Sequence, residues 1–199
     1  MKRCLLLCIA LALGACGGQN EPQSSAENPT PEPSGTSAPA QAPDGAVAQI
    51  APTQGNTASG SVSLTAEEGG VRLTGVVQGL KPNSEFGFHI HEKGDCSAPD
   101  ATSAGGHFNP TNAEHGNPQG ETHHTGDMLN IKSDDQGVAH IDTFAAGATL
   151  HSGQPTDVLG KAVVVHEGPD DYTSQPSGNS GSRIACGVIT VQSAPETTG

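Results

Sequence analysis

The sequence predicts an all-β domain, an antiparallel sandwich or barrel built from short strands. Three observations predict it. From Ser59 onward apolar and polar residues alternate in short runs separated by turn residues. Beyond the apolar leader, no segment keeps a helical period long enough to form a helix. Two irregular stretches, 92–127 and 167–182, interrupt the alternation at lengths that mark either a functional loop or disorder. Several short strands with two long excursions are what a sandwich or barrel looks like in sequence.

The elements follow in order. Ser61-Val62-Ser63-Leu64-Thr65 alternates, Glu68-Gly69-Gly70 turns, and Val71-Arg72-Leu73-Thr74 alternates again, which is a hairpin signal. Gly79-Leu80-Lys81-Pro82-Asn83 breaks the chain before the run Phe86-Gly87-Phe88-His89-Ile90-His91. Strands resume over 128–132, turn at Asp134-Asp135-Gln136-Gly137 and continue over 138–144. After a looser stretch around His151, Lys161-Ala162-Val163-Val164-Val165-His166 reads as a buried strand, and the last strand, 184–191, carries Cys186. These elements place one domain at 57–193, followed by a disordered tail at 194–199.

The chain opens with Met1-Lys2-Arg3 and an apolar run too short to span a bilayer, ending Leu13-Gly14-Ala15-Cys16. Residues 1–15 therefore read as a secretory signal. The Leu-Gly-Ala-Cys ending resembles a bacterial lipobox, which implies cleavage before Cys16 and lipidation of that residue, a palmitate among its acyl chains. Residues 16–56, rich in Pro, Ala, Ser, Gln and Glu, read as a disordered tether that cannot bury enough apolar surface to order itself. The expected location is the bacterial cell envelope, on the periplasmic face or the cell surface, with the lipid as the only membrane contact. The formal net charge of −13 becomes −15 once Lys2 and Arg3 leave with the signal. A body this acidic argues against nucleic acid and anionic membrane surfaces as partners.

Cys4 and Cys8 leave with the signal, and with Cys16 lipidated only Cys96 and Cys186 remain. Two thiols in an oxidising compartment most simply form one disulfide. Closing a loop of that length is worth about 4.5 kcal/mol in the chain-entropy treatment. A cysteine-ligated copper or zinc site is the alternative, made unnecessary by the abundance of histidine.

The chemistry concentrates around His89 and His91. Side chains alternate along a strand, so Glu85, Gly87, His89 and His91 share one face while Phe86, Phe88 and Ile90 share the other. Two imidazoles about 7 Å apart at the backbone can converge on one ion. With the apolar face toward the core, the metal lies outside the sheet, walled by loops. The stretch 92–127 supplies His107, His115, His123, His124 and Asp127, the content of a loop folded around metal.

Four motifs in order, Gly87-Phe88-His89-Ile90-His91-Glu92-Lys93-Gly94-Asp95-Cys96, Gly106-His107-Phe108-Asn109-Pro110, Val164-Val165-His166-Glu167 and Gly181-Ser182-Arg183-Ile184-Ala185-Cys186-Gly187, resemble those of the bacterial copper-zinc superoxide dismutases. The resemblance implies an eight-stranded antiparallel Greek-key β-barrel with the metals outside it, one copper and one zinc per chain. It implies copper ligands at His89, His91, His107 and His166. It also implies zinc ligands at His107, His115, His124 and Asp127, His107 bridging the two ions. Three imidazoles and a carboxylate close a four-coordinate zinc site, and four imidazoles suit a redox copper. Spacing to Asp127 selects His124 over His123, and His140 and His151 match no motif. Asp170 resembles the carboxylate that links a zinc-ligand histidine to a copper-ligand histidine.

Arg183 matches the family's anion-docking arginine, and Ser177 stands where many relatives have threonine. The implied reaction is dismutation of superoxide to oxygen and hydrogen peroxide at a copper cycling between Cu(II) and Cu(I), with Arg183 and His107 as catalytic residues and protection of the envelope from superoxide as its use. One departure from eukaryotic relatives stands out. The stretch 167–182 contains no Lys or Arg, so attraction of an anion falls to the metals, Arg183 and Lys93. A non-catalytic lipoprotein that buffers copper or zinc is the competing reading, and both monomer and homodimer remain open.

Overall fold

The computed structural model describes residues 45–192. The signal 1–15, the lipidation site Cys16 and the tail 194–199 lie outside the described residues. Nine strand segments follow one another: β1 Gly45–Pro52, β2 Ser59–Glu67, β3 Gly70–Gln78, β4 Glu85–Phe86, β5 Phe88–His91, β6 Ile131–Lys132, β7 Ala139–Ala146, β8 Ala162–His166 and β9 Arg183–Val191. A short 3-10 turn, Thr102–Ala104, is the one helical element among the described residues. β4 and β5 are halves of one run interrupted at Gly87, which leaves eight strands, the number the family resemblance implies.

Seven segments form one antiparallel sheet in the order β5-β8-β9-β1-β2-β3-β7, and β4 pairs with β6. The short β4-β6 ladder closes the two ends of the large sheet on each other. β4 runs on into the edge strand β5, and β6 reaches the other edge strand, β7, through the turn whose Gly137 N–H donates to Asp134 O. After β3 the chain leaves its neighbours, crosses to β4 and β5, and returns beside β3 only at β7, the Greek-key connection.

Alternation builds the core. Ala46, Ala48 and Ile50 of β1, Val62 and Leu64 of β2, Val71, Leu73 and Val77 of β3, and Ile141 and Ala145 of β7 all point inward. Phe86, Phe88 and Ile90 join the same core, as do Val163 and Val165. The opposite faces of β5 and β8 then present His89, His91 and His166 outward, beneath the loops. A second, smaller apolar cluster of Ala101, Ala104, Ala162, Val164 and Cys186 seals the disulfide-bearing loop against that outer face. The Cys96–Cys186 bond is formed.

One boundary is corrected. Residues 45–52, read from sequence as the end of a disordered tether, are a strand inserted between β9 and β2, with Ala48 opposite both Val62 and Ile189. Alanine at the inward positions is why the strand looks like the Pro/Ala-rich stretch preceding it. Its small side chains contribute little apolar signal, and the sheet neighbours on both sides supply the burial. Residues 53–56 are ordered too, with Thr53 Oγ1 donating to Arg183 O at 2.8 Å.

This placement is testable by truncation. A chain beginning at Thr57 lacks β1 and leaves β2 and β9 with bare edges. It is expected to show no cooperative urea transition by circular dichroism, whereas a chain beginning at Asp44 unfolds cooperatively. A cooperative transition of equal midpoint in the shorter chain contradicts the placement of β1.

Candidate metal centre

Two groups of four side chains meet on the outer face of β5 and β8. His89, His91, His107 and His166 form one and His107, His115, His124 and Asp127 the other, the ligand atoms of each lying within 4.8 Å of one another. All seven residues are buried. Strands carry three of them. The loop 92–127 carries the other four, and it is stitched to β5 by backbone bonds from Ile90 N to Gly126 O, Phe108 N to Ile90 O and Glu92 N to Gly106 O. Those bonds place His107 beside His91, and Asp127 pairs with His89 in the same manner.

The rings of His91, His166, His89 and His115 each have one nitrogen fixed by the protein, which decides the nitrogen left for an ion. His91 Nδ1 donates to Gly105 O at 2.9 Å and His166 Nδ1 to Gly181 O at 3.2 Å, leaving both Nε2 atoms inward, 3.3 Å apart. His89 Nε2 lies 2.7 Å from Asp170 Oδ2, and His115 Nε2 lies 3.0 Å from Asp170 Oδ1. Asp170 therefore stands within hydrogen-bond distance of one ring from each group. Gly178 permits this, since a Cβ there would overlap the Asp170 carboxylate and its φ of 65° favours glycine. Asp127 Oδ2 accepts from the backbone N–H groups of His124 and Gly116 at 2.8 and 3.1 Å, and Oδ1 stands 2.8 Å from His107 Nδ1.

Whether these residues suit metal ions is decided by the atoms left over. His89 Nδ1, His107 Nε2, His115 Nδ1 and His124 Nδ1 are buried without a hydrogen-bond partner. Each such orphan costs about 1–3 kcal/mol, and four divided between two adjacent groups are unexplained without ions. His115 Nδ1 and His124 Nδ1 approach Asp127 oxygens at 3.0 and 3.3 Å but off the line of a hydrogen bond. Two atoms each about 2.0–2.1 Å from one tetrahedral ion stand roughly 3.3 Å apart, so these spacings are those of ligands flanking a common centre. The donor sets fit zinc on the carboxylate side and copper on the all-imidazole side.

Electrostatics agree. Burial holds His89 down to about 4 and His166 down to about 3, and burial together with the neighbouring His107 keeps His91 well below its usual value. Their ligand nitrogens are thus unprotonated at neutral pH. Burial also opposes a charge on His115, but the Asp127 and Asp170 carboxylates outweigh it and raise that ring to about 9. Both carboxylates, though desolvated, are held far below the usual range by the histidines they face.

Arg183 sits opposite His166 in the β8-β9 ladder. Its Nη1 and Nη2 each donate at 2.6 Å, to Ala101 O and Gly105 O. Gly105 O therefore receives both the Arg183 guanidinium and the ring of His91, and Cys96–Cys186 ties that loop to β9 three residues beyond Arg183. Nothing in the sequence signals the Gly105 and Gly181 carbonyls, because any residue carries one. His123 belongs to neither group, its Nδ1 spent on His124 O at 2.8 Å. His140 is exposed on β7, and His151 turns its Nε2 toward Gly45 O at 3.4 Å. Lys93 is exposed beside the loop, and Ser177 accepts from Ser180 Oγ through its carbonyl.

The sequence profile described as copper/zinc superoxide dismutase (SODC) matches residues 58–189. The chain belongs to the copper/zinc superoxide dismutase family. A copper-zinc superoxide dismutase of Aquifex aeolicus (strain VF5) is 44% identical over 147 residues, 71% of this chain and 84% of that protein. The superoxide dismutase-like protein YojM of Bacillus subtilis (strain 168) is 37% identical over 195 residues, 95% of this chain and 96% of that one. Among solved structures, a double mutant of a SOD-like protein from Bacillus subtilis, with a tyrosine and a proline each replaced by histidine, superposes with a TM-score of 0.65. It is 39% identical and covers 72% of this chain and 96% of that one. The clock protein EA4 has a TM-score of 0.68 at 35% identity, covering 79% of this chain and all of that one. Copper and zinc are the metals of the family, and the barrel is its fold.

The pH dependence of the metal-free protein follows from the shifted groups. Between pH 6.5 and about 4 the unfolded chain takes up protons that folded His89 and His166 refuse, so stability falls as pH falls. Between 6.5 and about 9 folded His115 keeps a proton that the unfolded chain has lost, so stability falls as pH rises. The unfolding temperature of the metal-free protein is expected to peak near pH 6.5, with zinc removing the alkaline limb. A flat profile from pH 4 to 9 contradicts this.

Proposed function

We propose that this chain dismutes superoxide in the bacterial cell envelope, anchored by a lipid on Cys16. We assign copper to His89, His91, His107 and His166, and zinc to His107, His115, His124 and Asp127. The observation that carries the assignment is His107, whose Nδ1 faces the carboxylate group and whose buried, unpartnered Nε2 faces the three other imidazoles. Bound copper supplies one-electron exchange, by which one superoxide leaves as oxygen and a second, with two protons, as hydrogen peroxide.

The residues do the rest. Gly105 O, Gly181 O and Asp170 hold the rings of His91, His166 and His89 in the orientation an ion needs before it arrives. His107 Nε2 is the site at which a proton can be held between the two half-reactions. Arg183 spends its hydrogen bonds on carbonyls, so its full charge stays available to a small anion. Arg72 and Lys132, by contrast, are paired with carboxylates, Arg72 with Glu67 and Asp142 and Lys132 with Glu85. The apolar leader, Cys16 and the acidic composition support the envelope reading.

The alternative reading is a lipoprotein that buffers copper or zinc without turnover, since the ligand groups bind metal whether or not turnover follows. Arg183 and Asp170 are what a metal store does not need. The metal-loaded protein is expected to consume superoxide catalytically, and binding of both metals without superoxide consumption establishes the store instead. Arg183→Ala is expected to lower kcat/KM about tenfold or more at low ionic strength and to flatten its salt dependence. An unchanged rate there removes Arg183 from the site.

A further inference from the structure

Tyr172 is the single tyrosine of the chain. It is half-buried and belongs to neither apolar cluster, yet its backbone is held at a φ of 60°. A bulky side chain persists in that left-handed region only where its surroundings determine it. Two hydrogen bonds do so. The Tyr172 N–H donates to Asp170 Oδ1 at 2.6 Å, and the phenolic oxygen accepts the backbone N–H of Asn130 at 2.8 Å.

Asn130 returns the connection. Its Nδ2 donates to Asp170 O and its Oδ1 accepts the Asp170 N–H, both at 2.9 Å. The four bonds form a closed ring through Asp170, Tyr172 and Asn130, and the group at its centre is the carboxylate that meets His89 on one oxygen and His115 on the other. An aspartate side chain has two rotatable bonds. It can hold two imidazoles at fixed angles only if its own backbone and one of its oxygens are fixed first.

We propose that Tyr172 is a positioning residue for both metal groups, its hydroxyl fixing Asn130, Asn130 fixing Asp170, and Asp170 aiming His89 Nδ1 and His115 Nδ1. This rests on the two-metal reading given above. The loop 167–182, which contains no Lys or Arg, thereby has a different task in this chain. It orients the ligands from outside rather than attracting the substrate.

The test uses the full chain with Tyr172→Phe and Asn130→Ala. Zinc affinity is measured by competition with a chromophoric chelator, the copper environment by electron paramagnetic resonance of the Cu(II)-loaded protein, and folding by the unfolding temperature without metal. Tyr172→Phe is expected to raise the zinc Kd about tenfold and Asn130→Ala up to about a hundredfold. Both should alter the Cu(II) spectrum while leaving the metal-free unfolding temperature close to that of the parent. Unchanged zinc affinity and spectrum in both variants overturn the proposal. A lowered metal-free unfolding temperature with unchanged affinity and spectrum also overturns it, making Tyr172 a packing residue only. Failure of the parent protein to bind two metals defeats the two-metal reading itself, which separates the two failures.

Discussion

Everything in this molecule that bears on chemistry is arranged around one shared ring. His107 lies between three imidazoles and an imidazole-carboxylate set, and each of its nitrogens completes a different group of four. That requirement fixes the rest. A ring serving two ions must be held from its backbone, because neither nitrogen is free for a hydrogen bond to the protein once both ions are bound. The backbone ties from Phe108 to Ile90 and from Gly126 to Phe108 supply that hold, binding the residues beside His107 to β5.

The location outside the barrel follows from elementary strand geometry. Phe86, Phe88 and Ile90 fill the core, so the alternate positions are available for ligands without breaking the apolar interior. Loops then do what the core cannot. They exclude water from seven polar side chains, and they provide the second partner of each strand-borne imidazole, a main-chain carbonyl for His91 and His166 and the Asp170 carboxylate for His89. Gly105 O is the most economical of these, since it holds the ring of His91 and the guanidinium of Arg183 with one atom. The disulfide holds that loop to the strand bearing Arg183, so the bond that stabilises the fold also fixes the surroundings of this guanidinium.

Much of this was legible in the sequence. The facing of His89 and His91 was readable from alternation and the Cys96–Cys186 pairing from the cysteine count, while the side chains that gather into the two groups, and Asp170 beside them, were marked by the resemblance of the motifs. β1 was not, because Ala46 and Ala48 are too small to give an apolar rhythm and resemble the Pro/Ala-rich stretch before them. The short extent of β6, Ile131–Lys132, was hidden for a related reason, since its neighbours Met128 and Leu129 look like strand residues. Met128 is buried in the core and Leu129 is exposed, both ahead of the strand. The carbonyls that orient His91, His166 and Arg183 left no trace at all. They are chosen by where the backbone passes, which only the folded chain decides.

The claim that one imidazole joins the two sites has a direct magnetic test. Cobalt(II) is placed on the side holding His115, His124 and Asp127, copper(II) on the side holding His89, His91 and His166, and the electron paramagnetic resonance of the doubly loaded protein is recorded. A ring of His107 bound to both ions couples their unpaired electrons, so the copper signal should collapse when cobalt is added. A spectrum equal to the sum of the two singly loaded proteins contradicts the shared ring.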